Sequence, residues 1–285
     1  DSPGDRGPRS DSPGDRGPRS DSQGDRGPRS DKDGAFRSLP GGLTELVCGL
    51  VSAMGTAHVR TGSRVARVAG TGPFVVTTAD GGRIDARSVV FATPAFVTSA
   101  LVRDLDADLA RLCGGIPYAS VATVVLAFMR DSVSHPLNGS GFVVPRSEKT
   151  GILAATWLSS KWPERAPDGH VLLRTFIGGA RDPRALERDD PELVATSLAA
   201  LRPLLGIAGD PLLARVYRWD RANAQHEVGH LARVAEIDRA LARLPGMFVT
   251  GSGFRGVGIP DCIADGRATA ARVSDWLDGR HEARP

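Results

Sequence analysis

The sequence predicts a mixed α/β fold in which helix-and-strand segments at the two ends flank a central block of antiparallel strands. Three observations carry this. Apolar residues recur at helical spacing near both ends, at Leu43, Leu46, Val47, Leu50, Val51 and Met54, and again over 259–277. Short β-branched runs bounded by Gly, Pro and Asp alternate with helical segments over 58–112. From 118 to 178 strand and loop patterns dominate, and a helix, a strand, a helix and a strand then return the chain to its last helix.

In chain order, Gly41-Gly42 introduces the first helix, and short strands follow at 58–60, 64–68 and 74–78. Asp80-Gly81-Gly82 is a hairpin-type turn into a strand at 83–85. Residues 88–92, SVVFA, read as a buried strand that stops at Thr93-Pro94, and helices are expected over 95–101 and 104–112. The central block is read as strands at 119–129, 141–144, 152–157 and 171–177. Asp190 is placed as the cap of a helix running to Leu205. A strand at 212–219, a helix at 228–244, a strand at 247–250 and a helix at 259–277 complete the reading.

The first thirty residues are three near-identical copies of DSPGDRGPRS, Gln23 being the single change. Glycines at 4, 7, 14 and 17 break the every-third-residue rule of a collagen helix, and the repeat holds no aliphatic or aromatic residue to bury, so a disordered tail is expected over 1–33. The chain is 41% hydrophobic overall, with none of this in the repeat, which suits a packed soluble domain beyond the tail. The formal charge of +3 comes mostly from scattered Arg and gives no nucleic-acid footprint. Cys48, Cys113 and Cys262 are odd in number and widely spaced, which argues against a disulfide framework or a zinc site and fits a reducing cytoplasm. No apolar run approaches the ~18 residues of a spanning helix. Peripheral membrane contact is left open.

Gly251-Ser252-Gly253-Phe254-Arg255-Gly256 spells G-x-G-x-x-G between an apolar strand and a helix. A dinucleotide fold also needs a second parallel strand with an acidic residue roughly 20 positions on, and here one helix leads only to DGRHEARP. The longer stretch VTGSGFRGVGIPDCIADGR, 249–267, closely resembles the C-terminal flavin segment of the protoporphyrinogen and coproporphyrinogen oxidases, FAD enzymes of the flavin amine oxidase superfamily. In that setting the glycines let backbone amides approach the ribityl chain and pyrimidine edge. The following helix aims its N-terminal dipole where negative charge develops on reduction.

Other stretches extend the resemblance over about 34–277. SLPGGL at 38–43 resembles the family's second entry into its FAD domain, and FATP at 91–94 a turn close to the flavin. IPYASVATV at 116–124, GSGFVVP at 139–145 and WLSSKWP at 157–163 are similar to the porphyrinogen-oxidase substrate domain. In WDRANAQHEVGHL, 219–231, Ala224 and His226 stand where the family usually has Pro and Tyr. His226 and His230 are four apart, yet with no third ligand a metal is not expected.

The resemblance implies an FAD portion over 34–115, a substrate domain over 116–222, a return to the FAD portion over 223–279 and a tail at 280–285. It implies cofactor contacts from Val65, whose backbone would meet the adenine, and from Gly251, Ser252, Val257, Gly258 and Ile259. It further implies that a meso CH2 of a porphyrinogen yields hydride to the flavin and that dioxygen takes the electrons as hydrogen peroxide. The cofactor would carry that chemistry, so no catalytic side chain is expected, and Cys262 is read as structural. Arg146, Lys161 and Arg174 are candidate partners for substrate carboxylates, with a solvated surface as the alternative. The family's N-terminal βαβ unit, which holds the FAD pyrophosphate and ribose, finds no counterpart in these residues. This leaves a truncated or split protein without independent activity as one alternative, and another flavin amine oxidase as a second.

Overall fold

The computed structural model describes residues 37–55, 59–162 and 164–279. The repeat tail, His58, Pro163 and the tail at 280–285 lie outside them. Helix α1 (Thr44–Met54) precedes a three-stranded antiparallel meander, β1 (Val65–Ala69), β2 (Phe74–Thr78) and β3 (Arg83–Ala86). The Asp80-Gly81-Gly82 turn closes its second hairpin: Asp80 accepts from Thr78 Oγ1, and Gly81 takes φ +87°, which glycine adopts without a Cβ clash. Val59 and Arg60, expected to be extended, belong to no strand.

Strand β4 (Val89–Phe91) leads into helices α2 (Ala95–Val102) and α3 (Ala107–Gly114). The second starts three residues later than expected because Asp106 caps it, accepting from the Leu109 N–H at 2.8 Å. Near the other end of the chain, helix α6 (His230–Leu241), strand β10 (Met247–Val249) and helix α7 (Ile259–Leu277) return to this layer. β10 pairs in parallel with β4, Met247 opposite Val89 and Val249 opposite Phe91. Val68, Phe74, Phe91, Leu109, Ile237 and Phe254 are buried together and join these elements into one core.

A second core lies under the five-stranded antiparallel sheet of β5 (Tyr118–Met129), β6 (Gly141–Val143), β7 (Ala154–Trp157), β8 (His170–Gly178) and β9 (Leu213–Ala224), ordered β6-β7-β8-β5-β9. The period of two decides which face is which. Ala122, Val124, Leu126 and Phe128 of β5 and Val171, Leu173, Thr175 and Ile177 of β8 are all buried, packed with Leu193 and Leu201 of helix α5 (Asp190–Leu205). The buried polar pair of Thr175 and Ser197 in this layer is satisfied: the two share a 2.7 Å hydrogen bond, and Ser197 lies 3.0 Å from the Leu193 carbonyl, to which its hydroxyl can also donate. The opposite face of the sheet is therefore free to line something else.

Three sequence expectations are corrected here. The cap of α5 is Asp189, not Asp190: its carboxylate accepts from Glu192 N at 2.8 Å while Glu192 accepts from Asp189 N at 3.0 Å, a reciprocal box that Asp190 cannot make. β9 runs five residues beyond Trp219, because after a bulge at 220–222 Asn223 and Ala224 pair again with Ala119 and Tyr118 of β5. The helix expected from 228 begins at His230, after Gly229 at φ +90°. A short helix α4 (Leu158–Lys161) follows β7 where the sequence signalled none.

Candidate functional site

The parallel pair β4 and β10 sends two loops out of its carboxyl ends, Ala92–Pro94 ahead of α2 and 250–258 ahead of α7, and this is where open parallel sheets place ligands. Thr250 N donates to the Phe91 carbonyl at 3.0 Å, so the two loops leave together. The first is braced from β5: Ala95 N donates to the Tyr118 hydroxyl at 2.9 Å, and Phe96 meets the Tyr118 ring edge-to-face at 5.1 Å.

The glycines of 251–258 divide by purpose. A Cβ on Gly253 would strike the Tyr118 hydroxyl, and one on Gly256 would strike Asp261, so these two serve internal packing. Gly251 sits at φ +108° with open space where a side chain would be, and Gly258 leads into α7 with its N–H 3.3 Å from the Asp261 carboxylate. Asp265, reaching back from α7 with only 8% exposure, accepts from Thr250 Oγ1 at 2.7 Å and Gly251 N at 3.1 Å, and so fixes the start of the loop. Cys262 directs its thiol to the Gly256 carbonyl at 3.6 Å, a structural contact. The loop thus leaves Val257 and Ile259 exposed at the N-terminus of a nineteen-residue helix. A backbone platform with open space at Gly251, an apolar rim and a positive helix end suits an anionic isoalloxazine edge.

His226 and His230 hold the same loop from α6 and the segment before it. Their rings stack at 3.9 Å, and the two Nε2 atoms lie 3.0 Å from the Ser252 carbonyl and 2.9 Å from the Phe254 carbonyl. The i, i+4 spacing that suggested a metal is spent on two backbone carbonyls. Sequence reasoning missed both this clamp and Asp265, whose partners lie 14 to 26 residues away along the chain.

Of the expected cofactor residues, Gly251, Ser252, Val257, Gly258 and Ile259 come together in this one loop and helix start. Val65 stands on a different sheet, half-buried, opposite Thr78 and next to a bulge that leaves Ala66 unpaired.

The free face of the five-stranded sheet forms a cleft of about 860 Å³. Its floor is the set of residues alternating with the core: Val121 and Thr123 on β5, Arg174 and Phe176 on β8, Trp219 on β9 and Ala154 on β7. Trp219 donates its indole N–H to Thr123 at 3.2 Å, which sets the ring on the floor. Arg146 and Arg181 stand at the wall. Lys161 does not line the cleft; its ammonium lies over the Trp162 ring at 5.3 Å, and Trp157 is core. At one end β9 bulges: Arg221 takes φ +44°, its N–H donates to Ser120 Oγ, and its guanidinium lies 3.6 Å above the Phe96 ring. The bulge carries Gln225 into the cleft and the next residue, His226, onto the flavin-type loop.

A cleft on an antiparallel sheet, delivered at one end to a loop at the carboxyl ends of a parallel pair, is the arrangement of a two-part flavin oxidoreductase. The chain belongs to the family of flavin containing amine oxidoreductases, whose model matches residues 20–274. It is similar to coproporphyrinogen III oxidase of Bacillus subtilis, 34% identical over 86% of this chain and 52% of that protein, and to that of Propionibacterium freudenreichii, 35% identical over 84% and 45%. Among solved structures it is similar to a putative protoporphyrinogen oxidase from Exiguobacterium, 26% identical with a TM-score of 0.74 over 85% of this chain and 52% of the other. The chain spans about half the length of the curated relatives it matches. Cyclohexylamine oxidase from Brevibacterium oxydans, at 15% identity and a TM-score of 0.64, shares the fold. FAD is the cofactor of this line, and the 250–259 platform is compatible with it.

Proposed function

We propose that this chain is the flavin-loop and substrate-facing portion of an FAD-dependent porphyrinogen oxidase of heme biosynthesis, with dioxygen as electron acceptor. The observation that carries the reading is the junction at Gln225-His226: one residue lines the sheet cleft, and the next lies 3.0 Å from the Ser252 carbonyl of the glycine loop. A substrate lying on Val121, Phe176 and Trp219 would therefore reach the flavin side directly. Bound FAD supplies a two-electron acceptor for a substrate C–H bond. The chain's own residues have three tasks in this scheme. The apolar side chains of the floor, Val121, Phe176 and Trp219, hold the face of a tetrapyrrole. The loop amides from Gly251 and the N-terminus of α7 favour negative charge on the cofactor's pyrimidine edge. Asp265, His226 and His230 keep that loop in one conformation. No acid, base or nucleophile is required of the protein.

Under this reading 34–115 and 223–279 form the flavin side and 116–222 the substrate side, a division supported by the two separate cores. Val65, Gly251, Ser252, Val257, Gly258 and Ile259 are the proposed cofactor contacts. The three free cysteines support a reducing, cytoplasmic setting. Among the described residues no helix is long and apolar enough to cross a membrane, and peripheral contact stays open.

One observation favours a second reading, in which this stretch is active only beside a nucleotide-binding portion. No residue of α1 is buried, and Val47, Leu50, Val51 and Met54 all face outward. Purified protein offered FAD separates the two. Visible flavin absorbance retained through gel filtration, with oxygen uptake on a porphyrinogen, is the expected result for an independent oxidase; colourless protein would leave only the second reading.

A further inference from the structure

We propose that Arg174, assisted by Arg146, anchors ionised carboxylate arms of the substrate in the sheet cleft, so that binding depends on how many carboxylates the substrate carries. This rests on the porphyrinogen reading and goes beyond it by naming the specificity-determining side chains.

Four observations converge. Arg174 is on the cleft-facing phase of β8, between core residues Leu173 and Thr175, so its guanidinium is delivered to the cleft floor by the pleat itself. Its Nε is buried and has no hydrogen-bond partner, a rare condition for a polar group and costlier for a cationic one. Its guanidinium is held over the Phe176 ring at 4.7 Å, which orients it without satisfying its donors. Among the described residues, those lining the cleft include three arginines and no Asp or Glu. Of the three, Arg181 donates to the Val144 carbonyl at 3.0 Å, while Arg174 and Arg146 make no hydrogen bond or ion pair among the described residues. Burial also pulls the Arg174 pKa below its ordinary value, the response of a cation short of a counter-charge, although the guanidinium stays protonated at any working pH. A cation-lined floor with apolar neighbours Val121, Phe176 and Trp219 suits a flat apolar ring system bearing propionate-type arms. A planar guanidinium meets a carboxylate with two parallel N–H donors.

The experiment uses binding to the full chain, read by quenching of its tryptophan emission, to which Trp219 on the cleft floor contributes, and so does not depend on turnover. The probes are coproporphyrin III with four carboxylates, mesoporphyrin IX with two, and coproporphyrin tetramethyl ester with none. Wild-type protein is expected to bind them in that order of affinity. Arg174→Leu should weaken coproporphyrin by about tenfold or more, the scale of one charge-assisted hydrogen bond, and leave the tetramethyl ester unchanged. Arg174→Lys should recover part of the loss. Arg146→Ala, on an exposed loop, should weaken coproporphyrin severalfold and keeps the test decisive if Arg174→Leu does not fold. Folded variants that bind coproporphyrin as wild type does would overturn the carboxylate anchor while the porphyrinogen reading stands. A wild-type protein that binds none of the three would overturn both.

Discussion

Single carboxylates do much of the positioning in this molecule, and Asp106 shows how. Its side chain is 13% exposed, caps α3 through the Leu109 N–H and pairs with Arg243 Nη2 at 2.7 Å, tying α3 to the end of α6. Burial alone would raise its pKa, but the Leu109 N–H and the Arg243 guanidinium outweigh burial and hold it below the ordinary carboxylate value. A depressed folded pKa means the stabilisation is complete above the unfolded value, about 3.9, and is lost as pH falls through the folded one. Asp106→Ala should therefore cost about 1 kcal/mol at neutral pH. Chemical denaturation should show the wild type losing stability more steeply than the variant below about pH 4. Parallel acid profiles offset by a constant would contradict this. Cys113 illustrates the opposite case: burial with no partner charge pushes its thiol up to about 12, which leaves it chemically inert.

At the level of elements, the glycine loop is held by groups outside it. Asp265 accepts two hydrogen bonds at the loop's first residues, with Arg255 Nη1 3.9 Å away, so Asp265→Ala removes a nearly buried anion and frees Thr250 and Gly251 together. The expected loss is about 2–3 kcal/mol in thermal or denaturant unfolding, together with weaker flavin retention. Unchanged unfolding would mean the loop holds itself. Much of this element was legible in the sequence: the residues 259–277 were read as α7 to the residue, because Gly258 and Pro260 punctuate its start and the apolar period persists to Leu277. The β-branched runs of β2 and β5 likewise mark these strands to within one residue. β9 was cut short, because Asp220, Arg221 and Asn223 are polar residues on the sheet's edge, where exposure removes the alternation that marks a strand. The α5 cap slipped by one because two aspartates stand side by side, and only the spacing to Glu192 chooses Asp189.

For the whole molecule, what the sequence could not reveal is what long-range pairing creates. β4 and β10 lie more than 150 residues apart and neither announces the other, yet their parallel register is what brings the Ala92–Pro94 turn and the 250–258 loop to one edge. The cleft is similarly invisible until β5, β8 and β9 are in register, when Val121, Arg174 and Trp219 fall on one face. The resemblance to porphyrinogen oxidases points to the loop as a whole, but it cannot separate Gly253 and Gly256, which are fixed by Tyr118 and Asp261, from Gly251, which faces open space. In the proposed function the loop and the cleft are two halves of one site joined at Gln225-His226. Hydrogen exchange read by mass spectrometry, with FAD and with coproporphyrin III added separately and together, tests it most directly. FAD is predicted to protect amides of 250–259, coproporphyrin those of β8 and β9, and both ligands those of 223–227. Protection of the two regions with none at 223–227, or ligand-induced protection confined to other segments, would contradict it.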